Sequence, residues 1–338
     1  MNHKMLKTIS CGVLPLMTLA IVASTATGAE YYLRAEAFTK NLPDPSGVGT
    51  IPVPMWGFAL DDSFEGLELQ AVSVPGPRLT VPAGDTTLTI HLDNNLSVPI
   101  SIMIPGQITT KTPVFFTDGQ GRQRVHSFTH ETLAGNGTMV DYTWTGLEPG
   151  AYLYLSGTHP AVQVQMGLYG GVTIDAAAGE AYAGVTYDAE VMLLYSEIDP
   201  ALHAAVDDGS YGTTGPTSTV DYNPKYFLIN GEPYTSATLP MSAGAVGNRV
   251  LLRFLNAGLQ THAPNLLGMY MSVIAEDGNV YNFPKGQYSL TLPAGQTKDA
   301  IVTPSADGAY PLIDRRSDVT NAGGFSLGGM VRFLEVAP

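Results

Sequence analysis

Residues 142–174 set the strongest limit on what this chain can fold into. They read YTWTGLEPGAYLYLSGTHPAVQVQMGLYGGVTI. Tyr142 and Trp144 alternate with threonines, which is the period of a β-strand with one buried face. A Glu-Pro-Gly turn follows at 148–150, and it predicts a second strand over 152–155. We then expect a crowded polar loop that carries His159, and a last β-branched strand after a Gly-Leu-Tyr-Gly-Gly run.

The rest of the chain repeats short strands and turns. Hydrophobic residues make up 44% of the 338 residues and charged residues only 14%, with 37 Gly and 24 Pro. This composition is typical of many turns between short buried strands. One short helix is predicted over 198–206, because Asp199 suits an N-cap and Pro200 the first helical position. The pattern predicts an all-β fold of sandwich type.

The chain divides into three predicted segments. Residues 1–29 combine Lys4 and Lys7 with an apolar run and small residues, as in a secretory signal peptide. Residues 30–177 and 178–338 are predicted as two domains, separated by an Ala- and Gly-rich linker around 175–187. We therefore expect a periplasmic or extracellular protein with no membrane span in the mature chain.

The charge balance restricts the partners. The formal net charge is −14, which argues against nucleic acid and anionic membranes as partners. The only cysteine is Cys11, inside the predicted signal peptide. The mature chain would then lack disulfides, thiolate metal sites and cysteine nucleophiles. Sequence signatures of serine hydrolases, zinc metalloproteases and phosphate-binding loops are also missing.

Two stretches of the first half resemble the first domain of multicopper oxidases. One is residues 142–174, and the other is PGPRLTVPAGDTTLTIHLDNNLSVPISIMIPG at 75–106. The second half, with its order NG…LRFLNA…DG…LPAGQTKDAIV…GAYPL, resembles the second domain of the same family. The resemblance implies two cupredoxin-like Greek-key β-sandwich domains.

The resemblance also implies copper ligands at defined positions. In the family, two His-x-His pairs on these first-domain strands bind copper. The matching positions here hold Met103 and Pro105 on one strand, and Leu155 and Gly157 on the other. The blue copper site of the family needs a thiolate, and we expect only the first two domains in this chain, without the third domain that supplies the thiolate in three-domain relatives. Dioxygen reduction by the family's mechanism is therefore not expected from this chain alone.

The sequence offers one weaker candidate for a metal site. His159 lies two residues beyond the second vacant ligand position, and Met103 occupies a former ligand place with a thioether that suits Cu(I). The two would meet only if their strands are neighbours. The alternatives are a histidine that bonds the loop backbone and a methionine that fills the core. The other candidates for a cleft between the domains are Leu155, Gln163 and Gln165.

Three further histidines are less favourable as ligands. His126 and His130 fall on a predicted strand over 125–132, where residues four apart lie about 13 Å from each other. One ion cannot bind both unless the strand is broken, so hydrogen-bonded or exposed histidines are expected. His262 is expected in an exposed loop of the second domain, with the domain interface as the alternative.

Three functions follow from these observations. The first is a non-catalytic binding or scaffold protein that has no copper and meets a protein partner or a second copy of itself. The second is a copper-binding protein with a mononuclear His/Met site. The third is an oxidoreductase whose site is completed by another subunit. The vacant ligand positions favour a protein that is not an enzyme.

Overall fold

A computed structural model of the protein describes residues 28–61, 70–109, 112–135, 139–323 and 328–338. The predicted signal peptide lies outside these residues, apart from its last two positions, which begin the first strand. No helix in the described ranges is long and apolar enough to cross a membrane.

Within the described residues, the first half consists of strands and one short helix, α1, at Pro160–Met166. Its strands are β1 Gly28–Pro43, β2 Thr50–Asp61, β3 Leu79–Val81, β4 Thr87–Asn94, β5 Val114–Thr117, β6 Gln123–Ser127, β7 Val140–Thr145, β8 Gly150–Leu155 and β9 Tyr169–Ile174. One sheet has the order β2-β1-β4-β7, and a second has the order β3-β9-β8. Side chains from both sheets form one core, which includes Phe58, Ile90, Trp144 and Tyr154. Strands β5 and β6 form a separate hairpin.

The second half repeats this plan with a second short helix, α2, at Pro200–Asp207. Its strands are β10 Glu180–Tyr182, β11 Val185–Thr186, β12 Ala189–Ile198, β13 Tyr226–Ile229, β14 Met241–Ala245, β15 Val250–Asn256, β16 Pro264–Leu266, β17 Met271–Glu276, β18 Asn279–Gln287, β19 Thr297–Val302, β20 Gly308–Asp314 and β21 Val331–Ala337. A sheet of order β13-β12-β15-β19-β17-β18 and one of order β14-β21-β20-β16 enclose the second core.

A third apolar cluster joins the two halves. Leu153 and Tyr169 of the first half pack in it with Leu194 and Leu255 of the second. Helix α2 also packs on β2, where the His203 Nδ1 atom lies 2.8 Å from the Pro54 carbonyl oxygen. The two halves therefore share a buried apolar contact, which fixes the walls of any cleft between them.

The all-β prediction and helix α2 are confirmed. Asp199 caps α2, and its side chain accepts a hydrogen bond of 3.0 Å from the Ala201 N–H. The predicted linker around 175–187 is instead partly a hairpin, formed by β10 and β11. The position of the domain boundary at 177 stays a prediction.

Two other local predictions are wrong. The expected polar loop after β8 contains α1, which begins at Pro160 and ends where Gly167 has a φ of 123°. A Cβ atom at Gly167 would lie 2.1 Å from the Trp56 carbonyl oxygen, so only glycine fits this close contact. The predicted strand over 125–132 ends at Ser127, so His126 and His130 are not on one continuous strand.

Candidate functional site

Met103 and Leu155 are neighbours, as the resemblance required. The Met103 N–H donates to the Leu155 carbonyl at 2.8 Å, and the Leu155 N–H donates to the Met103 carbonyl at 3.0 Å. The Leu155 side chain lies in the cluster between the halves, and Pro105 is exposed. A Cβ atom at Gly157 would lie 3.1 Å from Ser101 Oγ and 3.5 Å from Met103 Sδ. The space beside Gly157 is therefore already filled by a hydroxyl and a thioether.

A hydroxyl network surrounds Gly157. Thr158 Oγ1 lies 3.0 Å from Ser101 Oγ and 3.0 Å from Ser127 Oγ, and the Gly157 N–H donates to Ser101 Oγ at 3.1 Å. Thr158 Oγ1 also donates to Glu131 Oε1 at 3.0 Å. The three hydroxyl residues are fully buried. The three hydroxyls bond to one another, and Thr158 also bonds to the Glu131 carboxylate, so the polar groups beside Gly157 have partners within the fold.

Two imidazoles lie at the edge of this network, and we call them the His126–His159 pair. Their ring centroids are 4.4 Å apart, and the ring planes are nearly perpendicular at 84°. Glu131 Oε1 lies 2.7 Å from His126 Nδ1, which holds that ring in place. Partial burial, together with the neighbouring His126, lowers the pKa of His159, so its imidazole is neutral at pH 7.

The His126–His159 pair lines a cavity of about 740 Å³ between the two halves. Trp56 and Phe128 contribute aromatic walls from the first half, and Tyr211 contributes another from the segment after α2. Further apolar walls come from Val98, Pro99, Val125, Pro160, Ala161, Val162 and Val206. The cavity has the volume and the mainly apolar lining of a small-molecule site.

The predicted cleft residues separate into two groups. His159 and Gln163 line the cavity. The Gln163 amide is already used, because Ser156 Oγ donates to its Oε1 at 2.6 Å and its Nε2 donates to the Pro99 carbonyl at 2.9 Å. Gln165 is buried, and its Nε2 donates to the Ala257 carbonyl of the second half at 3.4 Å. Gln163 and Gln165 therefore hold the scaffold together.

His126 is a functional candidate that the sequence did not single out. It is 33 positions from His159 in sequence, but an isolated β-bridge pairs the adjacent residues Ser127 and Thr158. Met103, the predicted partner of His159, has its sulfur beside Gly157 instead. His130 stacks on Tyr142 with ring centroids 4.1 Å apart.

The exposed-loop prediction for His262 is wrong. This histidine is fully buried. Its Nδ1 lies 2.7 Å from Asp314 Oδ2, and its Nε2 is hydrogen-bonded to Glu197. Asp318 Oδ2 lies 3.9 Å from the same Nδ1. Burial acts to lower the pKa of His262, but the hydrogen bonds and charges of Asp314 and Glu197 outweigh it and raise the pKa to about 9. We call these four residues the His262 cluster.

Comparisons with known proteins agree with this architecture. Residues 69–179 and 197–327 match two family models, both described as multicopper oxidase. The chain is 28% identical over 299 residues to a copper resistance protein A homolog of Pseudomonas syringae pv. tomato, with 75% of this chain and 46% of the relative covered. It is 28% identical over 300 residues to copper resistance protein A of Escherichia coli, with 76% of this chain and 47% of the relative covered. The chain spans about half the length of these curated relatives.

Solved structures show the same fold. The blue copper oxidase of Nitrosomonas europaea superposes with a TM-score of 0.68 at 18% identity, over 92% of this chain and 86% of that one. A copper nitrite reductase from the same organism superposes with a TM-score of 0.61 at 19% identity, over 92% and 94%. These likenesses confirm the cupredoxin-like β-sandwich architecture. Together with the matched family models, they establish that this chain belongs to the multicopper oxidase family.

Proposed function

We propose that this chain is a non-catalytic binding protein of the multicopper oxidase family, which has no copper cluster and takes a small, flat, uncharged ligand into the cavity beside His159. The observation that carries the proposal is the replacement of imidazoles by other side chains at the strand positions that face the first-domain copper site in the family. In place of a metal centre the chain has a hydroxyl network and an aromatic-walled cavity.

The residues present do not fit the copper centres of the family. Of the four positions, only Met103 offers a soft donor, and its sulfur lies against Gly157. A trinuclear centre needs closely spaced imidazoles, but Leu155 packs with the apolar cluster between the halves. A blue copper site needs a thiolate, and the one cysteine, Cys11, lies outside the described residues and inside the predicted signal peptide. This donor set supports no oxidase step.

The chemistry of the cavity suggests the class of ligand. Trp56, Phe128 and Tyr211 present flat apolar faces, which favour stacking with an aromatic ring. Within the part of the chain that the structure describes, the cavity lining contains no Asp, Glu, Lys or Arg, and the lowered pKa of His159 favours its neutral imidazole, so the lining favours an uncharged ligand. The imidazole can still donate or accept one hydrogen bond and so orient the ligand.

Location and partners remain proposals. The predicted signal peptide and the copper resistance relatives support a periplasmic or extracellular protein. We propose that the chain binds a protein partner or a second copy of itself. Light scattering on the purified chain measures whether it is a monomer or a homo-oligomer.

The ligand proposal can be tested with Nile red, a neutral aromatic dye. We expect the wild-type chain to bind the dye and Ala161→Trp to lose binding, because the new indole fills the cavity. Ala161 is exposed at the start of α1, so folding should tolerate the change. Ala306→Trp, at an exposed position outside the cavity lining, is the matched control and should bind as the wild type does. The proposal is wrong if wild type fails to bind, or if Ala161→Trp binds equally well.

A second candidate is copper binding at the His126–His159 pair. The two rings are close to each other, which favours this candidate. Glu131 is hydrogen-bonded to His126 Nδ1, so the Nε2 atom of His126 is the one that could bind a metal ion. The perpendicular rings at 4.4 Å are in packing contact, so one ring would have to turn before both nitrogens could bind one ion. Copper loading of wild type and of His159→Asn separates this candidate from the first. Copper that is retained by wild type and lost in the variant would support it.

A further inference from the structure

The His262 cluster brings together residues from three separate segments of the chain. Glu197 lies near the end of β12, His262 precedes β16, Asp314 ends β20, and Asp318 follows it four residues later. Three of the four side chains are almost completely inaccessible, and the Asp318 side chain is 17% exposed. A group of charged residues is thus enclosed in the second half, with Asp318 on the side nearest to solvent.

Three of these side chains have the spacing of metal ligands. His262 Nδ1, an Asp314 oxygen and an Asp318 oxygen all lie within 4.8 Å of one another. His262 Nδ1 is 2.7 Å from Asp314 Oδ2 and 3.9 Å from Asp318 Oδ2. An ion with ligands at about 2.1 Å separates them by roughly 3.0 Å to 3.4 Å, depending on its geometry. The two distances lie on either side of that range, so small side-chain movements are enough to admit an ion.

Glu197 supplies the support that metal-binding histidines commonly have. It is hydrogen-bonded to His262 Nε2, which leaves Nδ1 as the nitrogen that faces the two aspartates. Backbone N–H groups of Leu259 and Gln260 donate to Glu197 at 2.9 Å and 3.3 Å. A carboxylate on the far nitrogen fixes the ring orientation and makes the near nitrogen a stronger ligand.

The cluster holds three carboxylates and has one imidazole as their ion-pair partner. Among the described residues, the ion pairs of Glu197, Asp314 and Asp318 all go to one partner, His262. Asp318 Oδ2 is buried without a hydrogen-bond partner in that part of the chain. Arg316, which is close in sequence, donates its side chain to the Thr261 carbonyl, so its charge acts on Asp318 without forming an ion pair with it. Enclosed carboxylates without enough cations are costly, and a divalent ion would remove this cost.

We infer that the His262 cluster is a binding site for a divalent metal ion, with His262 Nδ1, Asp314 and Asp318 as ligands and Glu197 as the supporting residue. One imidazole with two carboxylates suits Zn²⁺ or Mn²⁺ better than Cu(I), which prefers sulfur ligands. The site lies in the second half, apart from the cavity beside His159, and it does not depend on what that cavity binds.

The inference can be tested by equilibrium dialysis of the full chain against Zn²⁺ and, separately, Mn²⁺, with metal content read by mass spectrometry. The key variant is Asp318→Asn, which removes a ligand at the partly exposed side and keeps the His262 ion pairs with Glu197 and Asp314. We expect wild type to retain one ion per chain, and Asp318→Asn to bind that ion at least about tenfold more weakly. Asp307→Asn, at an exposed position outside the cluster, is the matched control and should bind as wild type does.

A melting measurement gives a second readout. Metal bound to the folded chain raises its melting temperature. Zn²⁺ or Mn²⁺ should therefore raise the melting temperature of wild type, Asp307→Asn and His159→Asn by equal amounts, and that of Asp318→Asn by less. The inference is overturned if wild type retains neither ion, or if Asp318→Asn retains as much metal as wild type does. Failure of the Nile red experiment would leave both results unaffected.

Discussion

The His126–His159 pair and the His262 cluster use the same residue types in opposite settings. In both, a carboxylate oxygen lies 2.7 Å from a histidine Nδ1. The His126 side chain is 28% exposed and has one carboxylate, whereas the His262 side chain has no exposure and a carboxylate at each nitrogen. In the first arrangement the imidazoles line the cavity and stay within reach of a ligand. The second makes the imidazole part of the folded framework.

The largest expected effect comes from the same substitution made in both regions. His262→Asn leaves Glu197 and Asp314 buried without their cation, and breaking such a pair costs about 3–5 kcal/mol. His159→Asn, at an exposed position with a φ of 39° that asparagine tolerates, should cost less than about 1 kcal/mol. Urea unfolding in the presence of a chelator measures both. Equal losses would show that the contrast between the regions is wrong.

A second comparison uses the glycines beside the two sites. A Cβ atom at Gly258 would lie 2.3 Å from both Glu197 carboxylate oxygens, so Gly258→Ala must displace that carboxylate. We expect a loss of about 1–3 kcal/mol, as for overpacking. At Gly157 the nearest atom is a hydroxyl oxygen at 3.1 Å, which can move by a few tenths of an ångström. Gly157→Ala should therefore destabilise the chain less, and urea unfolding of the two variants checks the order.

A smaller effect depends on pH and distinguishes a buried histidine with a lowered pKa from one with a raised pKa. His203 is buried like His262, but its Nδ1 faces the Pro54 carbonyl, and burial lowers its pKa below the ordinary value. A histidine with a lowered folded pKa leaves stability unchanged above about pH 6.5, and stability is lost as pH falls from there through the folded pKa.

We expect the unfolding free energy to fall between pH 7 and pH 5, and to fall less in His203→Phe. His159→Asn serves as the control for acid effects at the cavity. If the unfolding free energy of His203→Phe depends on pH as steeply as that of wild type, then His203 at the contact between α2 and β2 is not a source of the pH dependence.

The smallest expected effect is at Met103. Met103→Leu conserves volume, so stability should change by less than about 1.5 kcal/mol. If the thioether only fills space beside Gly157, the variant also keeps the metal content of wild type. A loss of bound copper in Met103→Leu would return Met103 to the set of ligands.

Local signals predicted part of this structure. The Asp199-Pro200 pair identified α2, and alternating residues identified most strands, because capping and strand periodicity are properties of neighbouring residues. Helix α1 was missed because His159, Gln163 and Gln165 suggested a polar loop, and Val162 to Met166 alternates apolar and polar residues without the period of a helix. Its helical form depends on packing against β2 and on the close approach of Gly167 to Trp56.

The sites depend on contacts between distant residues, and these could not be predicted. The resemblance brought Met103 next to Leu155, but His159 meets His126 through a bridge between residues 31 positions apart. His262 is 65 positions from Glu197 and 52 from Asp314. Its surroundings are polar in sequence and resemble a loop, and only the folded sheets enclose it.

The most direct test of the central claim is anaerobic loading of the purified chain with Cu(I), followed by desalting and a copper assay. Cu(I) prefers sulfur ligands to the carboxylates of the His262 cluster, so the measurement reports on the first half. The account predicts no retained copper, and the same result for the double variant His126→Gln with His159→Asn. One copper per chain in wild type that disappears in the double variant would contradict the account and make the cavity a copper site.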